Sequence, residues 1–285
     1  MLAVFSGEVV EVPTELVAAG SRTPSPKTKA SELVSRFLGT SEPAVCMQLG
    51  DLGHLAYSHA NQALLRPRYE ESRSPSVDCH HGYDLRGLCQ CAMNMHSTFQ
   101  RLLTSDKITK IVLVRSFAAK DDIFCLFEGV LDNLGRLSQQ YGLSKGANEV
   151  VLVIEAYKTL RDRAPYPASF MLSQLTGSYA FVLFDKATNS LLVASDPEGK
   201  VPLFWGITAD GSVAFCDDID MLKGSCGKSL APFPQGCFYS NALGGLKSYE
   251  NPKNKVTAVP ANEEEICGAT FKVEGSTVLT APPLH

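Results

Sequence analysis

The sequence predicts an α+β layered sandwich, in which two packed sheets carry helices on their outer faces. Short, nearly continuous apolar runs dominate the second half of the chain, as is typical of strands that are covered on both sides. Segments with helical periodicity lie between the earlier strands, but strands and helices do not alternate as in a βαβ repeat. These observations favour a layered sandwich over a doubly wound parallel sheet.

The composition is that of an ordinary globular domain. The chain has 285 residues, of which 45% are hydrophobic and 20% charged, so one large domain with a substantial core is expected. The net charge of −4 offers no electrostatic footprint for a nucleic acid. No apolar run approaches the ~20 residues needed to span a bilayer, and the start lacks the features of a signal peptide. We therefore expect a cytoplasmic protein with reduced cysteines, and a nuclear location is also open.

The first part of the chain predicts two short strand regions separated by a helix. Leu2 to Phe5 is an apolar strand, and a loop rich in Pro and Ser follows at residues 20–26. Ser31 is predicted to cap a short helix. The apolar face of that helix consists of Leu33, Val34, Phe37 and Leu38. A strand pair, Ala44 to Leu49 and His54 to Tyr57, follows around a glycine-containing turn.

The second part predicts two helices and then a series of strands. Ile123 to Phe127 is a continuous apolar strand. One helix spans Asn133 to Tyr141 and stops at Gly142, and a longer helix starts near Asn148 and ends before Pro165. The later strands are Tyr179 to Phe184, Leu191 to Ser195, Leu203 to Gly206, Val213 to Cys216 and Gly236 to Ser240.

Three segments agree with a known family in order, spacing and residue type. They are Leu175 to Asp185, Ala194 to Gly206 and Phe233 to Ser240. In these segments the chain resembles the class II glutamine amidotransferases, such as the glutaminase domain of asparagine synthetase. Ser195, however, stands where that family usually has Arg. The resemblance implies a four-layer αββα sandwich of the N-terminal-nucleophile (Ntn) hydrolase type.

Two further motifs carry a closer resemblance. They are Tyr141-Gly142-Leu143 and Leu160-Arg161-Asp162-Arg163, and the chain around residues 18–27 and 251–255 agrees as well. With these motifs the chain resembles the plant aluminium-induced, stem-specific protein family over residues 1–68 and about 116–280. The resemblance implies a protein of the plant response to stress, metals or hormones. We expect a single domain over residues 1–280, followed by a tail at 281–285.

The resemblance aligns four positions of this chain with residues that a class II glutaminase needs, and all four carry a different residue. Leu2 stands where the N-terminal Cys nucleophile belongs, and its bulk should keep Met1 in place. Glu128-Gly129 replaces the Asn-Gly pair that stabilises the oxyanion, where a carboxylate would oppose the developing charge. His59 replaces the Arg that clamps the substrate, and Thr176 replaces the Asp that holds its α-amino group. Because loss of a nucleophile alone costs roughly 10⁶-fold in kcat, we predict that the chain has no catalytic residues and is not a glutaminase.

Two other groups of charged residues have a functional and a structural interpretation. Asp217, Asp218 and Asp220 could bind a cation, but acids in a strand-to-helix turn are more often helix caps. Arg161 and Arg163 could bind an anion, but basic residues in the last turn of a helix commonly complement its dipole. The structural interpretation is favoured for both groups.

A loop near the N-terminus contains two dipeptides that suit a proline-directed kinase. These are Thr23-Pro24 and Ser25-Pro26. Such dipeptides are common, so modification is the minor interpretation. Asp196 to Lys200 has one glycine and no phosphate-loop spacing, and is predicted to be a turn.

Residues 69–115 fit neither resemblance, because in the aluminium-induced family the strand ending at Arg68 runs almost directly into Ser116. The segment contains soft metal ligands, namely Cys79, His80, His81, Cys89, Cys91, Met93, Met95 and His96. A retained intron or unremoved exon is the favoured reading, since so long a stretch without structure is unusual inside a compact domain. A lineage-specific loop and a true metal site are the alternatives. We expect a disordered insertion or a retained intron, with no metal and no cofactor.

Three functions remain open at this stage. The favoured one is a non-catalytic amidotransferase-like protein that binds a small ligand or an unidentified protein partner. The second is a weak or altered amidohydrolase that uses Cys237 or Cys125 as its nucleophile. The third is a homodimeric structural or assembly protein.

Overall fold

The polypeptide forms four layers in the order helix, sheet, sheet, helix. A computed structural model describes residues 1–14, 16–18, 25–40, 44–58, 112–114, 117–163, 167–262 and 264–275. One core cluster contains buried side chains from both sheets, and two further clusters each join one sheet to its own helices. The four-layer αββα sandwich expected from the sequence and the resemblance is thereby confirmed.

The first sheet contains the N-terminal strand in its interior. Its strands are β1 (Leu2–Phe5), β2 (Ala44–Gln48), β3 (Gly53–Ser58), β9 (Phe204–Ile207), β10 (Val213–Cys216) and β11 (Ala231–Pro232). In the described part of the chain their order is β11-β9-β10-β1-β3-β2, and all pairs are antiparallel. Leu2 is opposite Cys216 on one side and Ala56 on the other, so the start of β1 lies deep within this sheet.

The second sheet is built around a long hairpin. Its strands are β4 (Val112–Val114), β5 (Phe117–Lys120), β6 (Ile123–Leu131), β7 (Gly177–Asp185), β8 (Ser190–Ser195), β12 (Cys237–Ser240) and β13 (Gly245–Ser248). Among the described residues the order is β13-β12-β8-β7-β6-β5-β4, again antiparallel throughout. A separate hairpin follows, formed by β14 (Val256–Pro260) and β15 (Ala269–Val273).

Helices cover the outer face of each sheet. They are α1 (Ala30–Thr40), α2 (Leu134–Gln140), α3 (Glu149–Asp162), α4 (Ala168–Leu172) and α5 (Ile219–Cys226). Helices α1 and α5 pack on the first sheet, and α2, α3 and α4 pack on the second. No helix within the described ranges is both long and apolar enough to cross a membrane.

Strand alternation in β1 divides its side chains between two layers. Ala3 and Phe5 belong to the core between the sheets, whereas Leu2 and Val4 belong to the core under α1 and α5. All four side chains are at most 1% exposed. Burial of each large apolar side chain contributes about 1.5–3 kcal/mol, so β1 is anchored from both faces.

The predicted cap of α1 is wrong. The helix begins at Ala30, so Ser31 lies inside its first turn. The Ala30 N–H donates instead to the carboxylate of Asp210, at 3.2 Å, from the turn between β9 and β10. Burial alone would raise the pKa of Asp210, but hydrogen bonds from Thr208 and Ala30 outweigh it and lower that pKa. A cap that comes from 180 residues away leaves no local sequence signal.

Most predicted element bounds agree with the structure to within one or two residues, but β6 is longer than predicted. It continues through Glu128 and Gly129 to Leu131, since every residue of β6 pairs with β7. The predicted insertion at 69–115 lies outside the described residues, except for 112–114, which form β4.

Candidate functional site

The start of β1 is the position at which the resemblance places a catalytic centre. The α-ammonium group of Met1 lies 2.5 Å from Asp217 Oδ2, and the two residues' side chains are only 1% and 16% exposed. The Asp217 N–H also points to the Met1 carbonyl, at an N···O distance of 3.4 Å. Asp217 follows directly on β10, whose Cys216 pairs with Leu2. The antiparallel pairing of β1 with β10 therefore holds this ion pair in place.

Leu2 is a core residue of the strand. Its side chain is 1% exposed and packs in the cluster formed with α1 and α5. Met1 belongs instead to the core between the two sheets. An alkyl side chain has no nucleophilic atom, so Leu2 can serve packing alone at this position.

Glu128 faces the same place from the second sheet. Its side chain is half-buried on β6, opposite Ala180 of β7. Burial raises the pKa of Glu128; the positive charge of the chain's amino terminus acts against this, and the charge of Asp217 adds to it. The amino terminus and the two carboxyl groups therefore form one electrostatic cluster. An ionised carboxylate only accepts hydrogen bonds, so it cannot stabilise an oxyanion.

Gly129 is required by strand pairing. Its φ is +116°, and a Cβ atom there would lie 2.0 Å from the carbonyl oxygen of Ser178 on β7. Residues with a side chain rarely adopt this conformation, and the close approach of the backbones excludes them. Strand pairing alone is therefore a sufficient reason for a glycine at this position.

Thr176 lies away from this cluster. It precedes β7, and its N–H donates to Asn133 Oδ1 at 3.2 Å while its carbonyl accepts from the Asp132 N–H at 2.8 Å. Thr176 is four positions before Ala180, the residue opposite Glu128. Four positions correspond to roughly 13 Å along an extended strand. His59 lies outside the described residues. Glu128 therefore interacts with the amino group of Met1, the residue before Leu2, while the Leu2 side chain packs under α1 and α5 and Thr176 lies elsewhere.

Two of the three aspartates after β10 have separate structural roles. Asp217 pairs with the amino terminus, and Asp218 caps α5 by accepting the Asp220 N–H at 2.9 Å. The described residues contain no group of three His, Cys, Asp or Glu side chains placed to hold a metal ion. The pairing of Asp217 was not predicted from the sequence, because 216 positions separate it from its partner.

The Leu160-to-Arg163 motif fastens α3 to the second sheet. Arg161 Nη1 lies 3.0 Å from Asp185 Oδ2, whose side chain is fully buried at the end of β7. The hydroxyl of Tyr157 donates to the same oxygen at 3.2 Å. Leu160 is buried in the core below, while Arg163 is exposed after the helix end. Arg161 therefore has an intramolecular anionic partner, beyond the dipole effect that was expected.

The Tyr141-to-Leu143 motif ends α2. The N–H groups of Tyr141, Gly142 and Leu143 donate to carbonyls of the last turn, and Gly142 has a φ of +66°. Tyr141 and Leu143 are partly buried against the core of the second sheet. This motif, too, has a structural role.

The two alternative nucleophiles are poorly placed for catalysis. Cys125 and Cys237 are both fully buried strand residues. Burial raises the pKa of Cys237 to about 12 and that of Cys125 further still. With pKa values raised this far, both thiols are protonated at neutral pH. Since the thiolate is the reactive form, both sulfurs are unreactive there.

Comparison with known proteins agrees with the motifs. A family model described as "Aluminium induced protein" matches residues 2–75 and 86–273. The matched stretches include part of the segment that we predict to be an insertion, and that prediction stays open. The stem-specific protein TSJT1 of Nicotiana tabacum is 31% identical over 196 residues, which cover 68% of this chain and 99% of the relative.

Similarity to asparagine synthetases is restricted to part of the chain. The glutamine-hydrolysing enzymes of Dictyostelium discoideum and Arabidopsis thaliana are 35% and 37% identical over 99 and 94 residues. These matches cover 33% of this chain and only 18% and 16% of the enzymes. A solved B. subtilis glutamine phosphoribosylpyrophosphate amidotransferase has 18% identity and a TM-score of 0.36, covering 50% of this chain and 32% of that one.

Proposed function

The chain belongs to the aluminium-induced protein family, and we propose that it is a non-catalytic glutamine-amidotransferase-like protein that acts by binding a small ligand or a protein partner. The observation that carries the proposal is the composition of the start of β1. The position of the nucleophile is a buried leucine, and Glu128 and Asp217 converge on the α-ammonium group of Met1. A glutaminase requires a nucleophile and oxyanion donors at this place.

The cluster at β1 also limits what could bind there. Glu128 and Asp217 are hydrogen-bond acceptors, and the α-ammonium group already neutralises one of them. We therefore expect a ligand of this region to present an ammonium or amide donor to Glu128, as an amino acid does. A protein partner that presents a Lys side chain would satisfy the same requirement.

A thermal-shift panel tests the binding proposal. The probes are glutamine, asparagine, glutamate, ATP and zinc, each added to the wild-type protein and to Glu128→Gln. A ligand at 100 times its Kd stabilises a folded protein by about 2.7 kcal/mol, and this should be lost or reduced in the variant. An amino acid that raises the Tm of both proteins equally would contradict a role for Glu128. If no probe raises the Tm, the ligand half of the proposal fails and the partner half is left.

The amidohydrolase alternative receives little support. It requires a reactive thiol, and both candidates are buried and protonated. The homodimer alternative has no specific observation in its favour, and sedimentation at several concentrations tests it. A response to stress and a cytoplasmic, also nuclear, location are part of the proposal. A fluorescent fusion at the C-terminus tests the location and leaves the Met1 amino group free.

A further inference from the structure

A short segment ahead of α1 is docked on the end of α5. Residues 25–29 have no regular secondary structure and lead directly into α1. The Thr28 N–H donates to the Ser225 carbonyl at 3.2 Å, and the Thr28 carbonyl accepts from the Ala209 N–H at 2.9 Å. The Thr28 hydroxyl donates to Ser225 Oγ at 2.7 Å. Residues 25–29, hereafter the docked segment, are thus held by a few bonds at one place.

Ser25 is fixed at the other end of this contact. Its Oγ accepts the Lys228 N–H at 2.7 Å, just beyond α5. The hydroxyl rests on the backbone of Gly227, since a Cβ atom built there would lie only 2.2 Å from Ser25 Oγ. A phosphoryl group on this oxygen would be crowded by the Gly227 backbone and would disturb the hydrogen bond from the Lys228 N–H, so it opposes docking of the segment.

Pro26 follows Ser25, and a serine before proline is the sequence that proline-directed kinases phosphorylate. Ser25 is only partly buried, and Pro26 and Lys29 of the docked segment are exposed. A residue that precedes proline is biased towards an extended backbone, which suits an extended kinase cleft. Both the sequence around Ser25 and its partial exposure therefore suit a kinase substrate. Thr23 lies outside the described residues.

We propose that Ser25 is the phosphorylation site of a proline-directed kinase and that its phosphorylation releases the docked segment from α5. The γ-phosphoryl group of ATP is transferred to Ser25 Oγ. The new O–P bond forms as the bond between the γ-phosphorus and the bridging oxygen of ADP breaks, and the hydroxyl proton passes to the base of the kinase. The proposal is independent of the function proposed above, because it concerns a different surface.

Release and modification are linked in both directions. A kinase has to reach Ser25 Oγ, which in the docked segment accepts the Lys228 N–H and lies against Gly227. The undocked segment is therefore the substrate, and a change that loosens docking should raise its population and speed phosphorylation. Ser225→Ala is suited to this test, because it removes the acceptor of the Thr28 hydroxyl, and of Arg36 Nη2 on α1, without altering the sequence around Ser25 that a kinase contacts. Ser248→Ala removes a buried serine hydroxyl at a distant site and serves as the matched control.

The experiment uses the full chain in a Thr23→Ala background, a purified proline-directed kinase and ATP. Mass spectrometry locates the phosphate, and hydrogen exchange reports on docking. We expect phosphate on Ser25, at least tenfold faster exchange at the Thr28, Ala209 and Lys228 amides, and unchanged exchange at Val182 of β7. We also expect Ser225→Ala to be phosphorylated several-fold faster than the wild type, and Ser248→Ala to be phosphorylated at the wild-type rate.

Several outcomes would overturn the proposal. One is phosphorylation of a peptide of residues 19–33 without any modification of Ser25 in the folded chain. Another is phosphorylated protein in which the three amides keep or gain protection, which would mean that the phosphate is accommodated in place. Equal rates for Ser225→Ala and Ser248→Ala would break the link between docking and modification. The exchange measurement does not depend on Ser225→Ala, so it stands even where that variant fails to fold.

Discussion

Two carboxyl groups determine the chemistry at the start of β1. Asp217 neutralises the α-ammonium group of Met1, and Glu128 is left half-buried beside this pair. In an Ntn hydrolase the free α-amino group acts as the base for its own nucleophile. Here the same group forms a structural ion pair, and the side chain next to it is an alkyl group. Each carboxyl group therefore affects stability and can be tested on its own.

Glu128→Gln should stabilise the protein at neutral pH. Because burial raises the pKa of Glu128, the folded state binds this proton more tightly than the unfolded chain, so stability is lost as pH rises above the ordinary Glu value of about 4.3. Glu128→Gln has no carboxyl group to titrate at this position, so it does not lose stability in this way. We expect it to be more stable than the wild type at pH 7 and equally stable at pH ~4, measured by urea unfolding. Glu8→Gln, at an exposed site, should change stability by less than about 0.5 kcal/mol. A constant difference from pH ~4 to ~7 would contradict the account.

Asp217→Asn should destabilise the protein, because it leaves the nearly buried ammonium group without its charged partner. We expect a loss of about 1–3 kcal/mol in urea unfolding at neutral pH. Asp220→Asn is the matched control, since Asp220 is an exposed acid three positions away. It should cost no more than about 0.5–1 kcal/mol, from its place in the first turn of α5. Equal losses in the two variants would mean that the ion pair at the amino terminus is not stabilising.

At the scale of elements, α3 is held to the second sheet by the pair of Arg161 and the buried Asp185. Arg161→Ala should cost roughly 2–3 kcal/mol, because it leaves a buried carboxylate with only the Tyr157 hydroxyl and backbone donors. Arg163→Ala, in the same motif but exposed, should cost less than about 0.5 kcal/mol. The check is a double-mutant cycle with Asp185→Asn, in which the coupling energy should be clearly above zero. Similar losses for both arginines would contradict the structural role of Arg161.

Gly135 inside α2 and Gly142 just after it should respond to alanine in opposite ways. Neither has an atom within 4 Å of the added Cβ, so packing does not confuse the comparison. Gly142 has a φ of +66°, and Gly142→Ala should destabilise by about 1 kcal/mol. Gly135 lies inside the helix, and Gly135→Ala should stabilise by roughly 0.5–1 kcal/mol. Thermal unfolding measures both, and a gain in stability from Gly142→Ala would rule out its role in ending α2.

The elements that could be predicted from the sequence are those whose signals are local. The end of α2 at Gly142 and the start of α3 near Asn148 were predicted and are confirmed, because each depends on residues within one turn. The start of α1 was not, because Asp210 caps it from a distant hairpin. The last part of β6 was missed because Glu128 and Gly129 interrupt the apolar run, while the backbone of β7 continues the pairing.

At the scale of the whole molecule, the pattern of apolar residues predicts the layers but not which polar groups meet between them. The four-layer order followed from buried strands and outer helices, and the structure shows it. The cluster of Met1, Glu128 and Asp217 could not be predicted, because it joins the two sheets at one end of β1 and its members are far apart in the chain. The cluster supports the proposed lack of glutaminase activity, because it presents two carboxyl groups where acyl transfer needs a nucleophile and hydrogen-bond donors.

We propose that this site does not hydrolyse glutamine, and a direct assay tests it. Purified protein at high concentration is incubated with glutamine, and glutamate and ammonia are measured against a blank and against a class II glutaminase. We predict a rate that does not differ from the blank, in the wild type and in Cys125→Ala and Cys237→Ala alike. Turnover of glutamine that a single one of these cysteine substitutions abolishes would contradict the account.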